Sequence, residues 1–180
     1  MWNRYKRWRH TKGYGVHSPF AYRLVTDVLR PGQYAYYAYN AIDFIITPAE
    51  SSDHKFRQLI LLLIRLVNFL GAKRIVASPD ATRLAQVVVK ATGKECLEMQ
   101  NLGLGFNQGD IFLTTGDEAD ISSLNKALND GAAVFSLHPG KTTRNLLEKP
   151  MERGLLLNGR RRMILIPRPE MAYVAYSIVL

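Results

Sequence analysis

Residues 74–99 read RIVASPDATRLAQVVVKATGKECLEM. Arg74 to Ala77 is apolar without helical periodicity, as expected of a buried strand. Ser78-Pro79-Asp80 then signals a helix start, with serine at the cap and proline at the first helical position. Leu84, Ala85, Val87, Val88 and Ala91 recur on one face, while Arg83, Gln86 and Lys90 fall on the other. Gly93 closes that helix, and Glu95 to Met99 resumes as a strand. Strand, helix and strand in immediate succession predict a parallel sheet with right-handed crossovers.

The pattern continues downstream. Strands are expected at Asp110 to Thr114 and Ala133 to Leu137. Helices are expected at about Ala119 to Asn129, with Ile121, Leu124 and Leu128 inward, and at about Thr143 to Lys149, stopped by Pro150. Leu155 to Leu157, Met163 to Pro167 and Tyr173 to Leu180 then read as extended. Asn158-Gly159 predicts a tight type I′ turn, and Pro167-Arg168-Pro169-Glu170 a second turn. A C-terminal antiparallel hairpin is therefore expected at the sheet edge.

Upstream, Ser18-Pro19 opens a helix carrying Phe20, Leu24, Val25 and Val28, which Pro31-Gly32 stops. From about Ser52 a long helix places Phe56, Leu59, Ile60, Leu63, Ile64, Val67 and Leu70 on one face. Arg57, Arg65 and Asn68 form a narrow polar stripe, and Gly71 ends the helix. Tyr34, Tyr36, Tyr37 and Tyr39 fit either a cleft lining or a loop glued to the core. The expected organisation is an arm at 1–12, a helical or lid segment at 13–52 and an α/β domain at 53–180.

The chain has 180 residues, of which 47% are hydrophobic and 22% charged, values that exclude wholesale disorder. Lys and Arg number 24 against 15 Asp and Glu, so the net charge of +9 favours an anionic partner. Cys96 is the one cysteine, which excludes an intrachain disulfide and a thiolate zinc cage. Inside a predicted strand, its thiol is expected to be buried and inert. His10, His17, His54 and His138 show no paired ligand spacing, so no metal site is expected, and no residue stands out as catalytic. The apolar run Leu59 to Leu70 is broken by Arg65 and Asn68 and is too short to span a bilayer. The chain is expected to be soluble and cytoplasmic.

Residues 1–12, MWNRYKRWRHTK, interleave Arg4, Lys6, Arg7, Arg9 and Lys12 with Trp2, Tyr5 and Trp8, and hold no acid. Two readings stand: a solvated tail or lid edge whose rings pack on the domain, or an arm for an anionic partner, whether phosphate, nucleic acid, anionic lipid or an acidic protein. Arg160-Arg161-Arg162 is read likewise, as a nucleic-acid contact or as a solvated strand edge that discourages sheet-to-sheet pairing.

In an open α/β sheet a ligand sits outside the carboxyl ends of the strands. That rim is expected at residues 77–81, 98–105, 115–118 and 136–141. A nucleotide or nucleoside needs glycine in the first turn for close backbone approach, yet this turn reads Ala77-Ser78-Pro79-Asp80-Ala81-Thr82-Arg83. Glu98 stands where an acid could meet a ribose, or is a solvated strand end. Gly103-Leu104-Gly105 reads as a plain turn. Asp117-Glu118-Ala119-Asp120 are helix N-terminal acids, or a carboxylate rim for a cation or cofactor.

The segment Gly13-Tyr14-Gly15-Val16-His17-Ser18-Pro19-Phe20 resembles the G-[IV]-H-S-P-F opening of a bacterial group of class I S-adenosylmethionine-dependent methyltransferases. The apolar helix before the first strand and the extended Met163 to Arg168 are also similar to theirs. The resemblance implies a shortened methyltransferase-type fold: a Rossmann-like, mostly parallel sheet with flanking helices and a C-terminal antiparallel hairpin. It also implies that Glu98 holds the ribose hydroxyls, with Asp117 close to the position of a later cofactor acid. The family's loop pattern is like ELGxxxG, where this chain has Ala77 for the acid and Pro79 and Arg83 for the glycines. Thr115 stands for the later aspartate, and the stretch from Glu98 to Asp110 is short by about a helix and a strand. These departures imply a degenerate methyltransferase-like scaffold that acts by interaction without the cofactor. The alternatives are an active S-adenosylmethionine-dependent enzyme with an atypical loop, and a nucleic-acid-binding module using the basic arm.

Overall fold

The computed structural model describes residues 2–30, 37–98, 105–115, 121–149 and 151–179. The expected stop at Pro31-Gly32 lies outside them. So do Tyr34, Tyr36, Met99, Gly103-Leu104, Asp117-Glu118-Ala119-Asp120, Pro150 and Leu180.

The helices are α1 (Trp2–Thr11), α2 (Pro19–Arg23), α3 (Ala38–Ile45), α4 (Pro48–Ser52), α5 (His54–Leu70), α6 (Thr82–Thr92), α7 (Ile121–Asn129) and α8 (Lys141–Leu147). The strands are β1 (Arg74–Ala77), β2 (Glu95–Glu98), β3 (Ile111–Thr114), β4 (Ala133–Ser136), β5 (Leu155–Asn158), β6 (Met163–Ile166) and β7 (Val174–Ser177). They form one seven-stranded sheet in the order β2-β1-β3-β4-β6-β5-β7. Neighbours are parallel except where β6 runs against β4 and β5. The fold is Rossmann-like α/β, with helices on both faces of the sheet.

Two-residue alternation explains the two cores. Ile75, Ala77, Ile111, Leu113, Phe135, Leu155 and Ile164 face one way and pack with α2, α3, α5 and α6. Val76, Phe112, Val134, Leu156 and Leu165 face the other way and pack with Leu124 and Ala127 of α7 and Leu147 of α8. Both faces are covered, so the strands read as near-continuous apolar runs. Phe112 and Phe135 are fully buried, each stabilising the fold by about 2 kcal/mol.

Several expectations need correction. The hairpin β5–β6 forms, but β6 lies inside the sheet and the edge is β7, parallel to β5. Asn158-Gly159 does not form a two-residue turn. Asn158 pairs with Met163, residues 159–162 make the loop, and the Gly159 amide donates to the Arg162 carbonyl at 3.0 Å. Gly159 lacks the positive φ that a type I′ turn requires. The helix expected from about Ser52 is α5, which starts at His54 because Asp53 caps it by accepting from the Lys55 and Phe56 amides, and the short α4 precedes it. Gly71 ends α5 in the left-handed conformation, φ 64°.

Arg65 does not belong to a polar stripe. It is 4% exposed and donates to the Val28 carbonyl at 2.6 Å and the Tyr39 hydroxyl at 3.1 Å. Val28 lies in a π-helical stretch, Leu24–Leu29, that continues α2. Such a stretch ends with carbonyls that lack helical partners, and Arg65 supplies one donor. Ile121, expected inward, is 41% exposed, and Cys96 is half-buried. Residues 2–11, expected as tail or arm, form a helix docked on β7. Among the described residues no helix is long and apolar enough to cross a membrane.

Candidate functional site at the carboxyl rim of the sheet

The chain leaves β1 for β2 on one side and returns to β3 on the other, so the topological switch point lies between β1 and β3. The turn after β1 decides what can sit there. Ala77 is fully buried, and Pro79–Ala81 form a tight 3-10 turn leading into α6. Ser78 occupies the cap position with Pro79 behind it, as expected, but its hydroxyl makes no cap bond. The Ser78 carbonyl instead accepts from the Ala81 amide at 2.9 Å and the Thr82 hydroxyl at 3.2 Å. Pro79 has no N–H to offer an anion.

Arg83, one turn into α6, is clasped from outside. Its Nε donates to Glu50 Oε1 at 2.7 Å and its Nη2 to Oε2 at 2.6 Å. Glu50 also closes the α4 capping box, accepting from the Thr47 amide at 2.8 Å while its own amide donates to the Thr47 hydroxyl at 3.3 Å. The Arg83 hydrogen bond, followed by the Thr47 amide, draws the Glu50 carboxyl down to about 2. Glu50 is not among the site residues expected from the sequence. Its readable signal was Thr47-Pro48-Ala49-Glu50, a Thr-x-x-Glu capping pattern.

Three hydroxyls share the same rim. Thr114 pairs in register with Ser136, and Ser78 directly follows the Ala77–Leu113 pair. By strand alternation they share the α7–α8 face of the sheet with Val76, Phe112 and Val134. Ser78, Thr114 and Ser136 are 5%, 1% and 0% exposed, and none of their hydroxyl oxygens has a hydrogen-bond partner among the described residues.

The backbone of Glu98 ends β2 and pairs with Ala77, which brings that position to the switch point. Asp117 lies outside the described residues. His17, His54 and His138 are exposed. Two hollows open at the opposite, amino-terminal edge of the sheet. One is lined by Arg74, Lys94 and Asp110, and the other by Gln108, Arg168 and Glu170. Arg74 is tied there to Asp110, and Arg168 to Glu170.

No protein-family model, curated protein or solved structure matches this chain.

Proposed function

We propose that this chain is a methyltransferase-type scaffold that does not hold S-adenosylmethionine and acts by interaction. The closed turn after β1 carries the reading. The described residues do not fit the cofactor: Ala77 offers no carboxylate, Pro79 removes a donor and stiffens the turn, and Arg83 is anchored to Glu50 where a glycine would leave room. The Gly13–Phe20 segment has a structural use, since the Ser18 hydroxyl caps α2 by accepting from the Ala21 amide at 3.3 Å.

The competing reading, an active methyltransferase with an atypical loop, draws on Glu98 beside Ala77. Methyl transfer asks mainly for in-line orientation of acceptor and sulfonium, so the lack of a base does not decide between the two. Titration calorimetry with S-adenosylmethionine and its demethylated product does. No heat of binding at millimolar ligand is expected, and micromolar affinity would overturn the scaffold reading.

A further inference from the structure

We infer that α1 and the β5–β6 turn together form a binding surface for single-stranded nucleic acid. The inference names a partner for the interaction scaffold and rests on that reading only in taking interaction as the chain's activity.

α1 is held by its last turn. His10 Nδ1 lies 3.1 Å from the Ser177 carbonyl, and Thr11 Oγ1 accepts from the Val179 amide at 2.9 Å. The His10 ring meets Tyr176 edge-on at 5.5 Å. Gly13 lets the chain turn sharply behind it, because at φ 83° a Cβ there would meet the Tyr22 ring at 2.7 Å. The helix is therefore a fixed platform.

Its outer side carries rings and cations. Tyr5 and Trp8 are 55% and 47% exposed. Their rings are nearly parallel, 23° apart with centroids at 6.1 Å. Lys12 Nζ sits 4.2 Å from the Trp8 ring centroid and Arg9 Cζ 5.9 Å from that of Tyr5. A cavity lined by Tyr5, Lys6, Arg9 and His10 extends to the exposed Tyr14. The first acidic residue of the chain is Asp27.

Register brings a second cationic group to the same end of the sheet. Ser177, which holds α1, is paired with Asn158, and the Gly159–Arg162 turn follows directly. Neighbouring strands lie about 4.8 Å apart, so two basic segments at opposite ends of the chain converge. Arg144 props the turn, donating to Asn158 Oδ1 at 2.8 Å and the Arg160 carbonyl at 3.2 Å. Arg160 and Arg161 are left exposed. Among the described residues Lys6, Arg9, Lys12, Arg160 and Arg161 make no ion pair, whereas Arg57, Arg74, Arg83 and Arg168 do. Burial lowers the Arg162 pKa, and the neighbouring Arg161 adds to the effect.

Flat rings beside unpaired cations suit unstacked bases and their phosphates. A membrane helix would present aliphatic side chains, and residues 2–15 contain no Leu, Ile, Val, Met or Phe. A duplex offers no free base faces to the rings.

The test is fluorescence anisotropy of the full-length chain, without S-adenosylmethionine, against labelled single-stranded RNA and DNA of about 12 nucleotides. Duplex DNA and anionic phosphatidylserine vesicles serve as comparators. Binding should weaken with salt, log K falling by about 0.7 per log unit of salt for each phosphate contacted. Trp8→Ala should weaken it about tenfold or more, with Trp8→Tyr retaining most of it. Arg160→Glu with Arg161→Glu should lower both affinity and salt slope. Unchanged circular dichroism and melting of these surface variants would separate lost contacts from lost fold. No binding to any single strand at low salt, binding indifferent to Trp8→Ala, or binding to vesicles alone would overturn the inference. Calorimetry with the cofactor reads the scaffold proposal separately, so either can fail without the other.

Discussion

Arg83 of α6 and Glu50 of α4 clasp two helices that the chain separates by all of α5 and β1, and the clasp sits on the turn that closes the switch point. Glu50 has its carboxyl drawn down from an ordinary 4.5 to about 2, first by Arg83 and then by the Thr47 amide. A carboxyl depressed on folding contributes stability above its unfolded value, and that contribution is lost as pH falls from 4.5 toward 2. Glu50→Gln should therefore be less stable than the parent chain at pH 7, with the gap narrowing toward pH 2. Urea denaturation of both chains across that range checks it. A constant gap would sink the assignment.

Arg65 makes a different demand. Its guanidinium is buried and supplies the Val28 carbonyl and the Tyr39 hydroxyl. Arg65→Met keeps the volume but leaves that carbonyl unsatisfied, at a cost of about 2 kcal/mol. Tyr39→Phe should cost less, about 1 kcal/mol. Denaturation midpoints that reverse this order would show that Arg65 is held by packing alone.

The parts of the fold that were legible are those fixed by local pattern. β1 and β2 emerged within a residue and α6 ends at Gly93 as read, because each apolar period is complete inside its own segment; only its opening differs, Pro79–Ala81 forming a 3-10 turn before α6 starts at Thr82. The inward face of α6 was also legible, with Leu84, Ala85, Val87 and Val88 buried. What stayed hidden depends on partners distant in sequence. Arg65 looked solvated because its acceptor lies in another helix. α1 looked like a tail because the groups that hold it, Ser177 and Val179, lie at the far end of the chain. Asn158-Gly159 looked like a two-residue turn, yet Arg144 of α8 binds the Gly159 and Arg160 carbonyls in the wider loop. At the candidate site the missing glycines were readable from the sequence. The Glu50 clasp and the aligned hydroxyls needed the assembled sheet.

Those hydroxyls yield a further expectation. Thr114 and Ser136 hold buried oxygens with no partner among the described residues. Removing an orphaned buried hydroxyl is neutral or favourable, whereas removing one that holds a bound molecule is not. Thr114→Val and Ser136→Ala should leave stability unchanged or raise it by up to about 1 kcal/mol. A loss of more than about 1 kcal/mol in either variant would mean that the rim engages an ordered water or a ligand.

α1 covers the outer edge of the sheet at β7. The Ile178 amide donates inward to Asn158 at 3.0 Å, so the Ser177 carbonyl and Val179 amide point outward, and His10 and Thr11 of α1 take them. An uncovered edge of this kind templates pairing with another chain. Removing residues 1–12 should cause concentration-dependent self-association beyond that of the full chain, read by sedimentation velocity. His10 makes the cover sensitive to acid. Burial holds its pKa below the ordinary 6.5, with Lys6 and Arg9 adding to the effect and the Ser177 carbonyl opposing it. The unfolded chain takes up the proton first, so docking is at full strength above about 6.5 and weakens as pH falls below it. Exchange of the Val179 amide should accelerate beyond the intrinsic pH effect as pH drops from 7 to 5, and His10→Asn should flatten that excess. A truncated chain that matches the full chain at every concentration would show that α1 rests on β7 without protecting it.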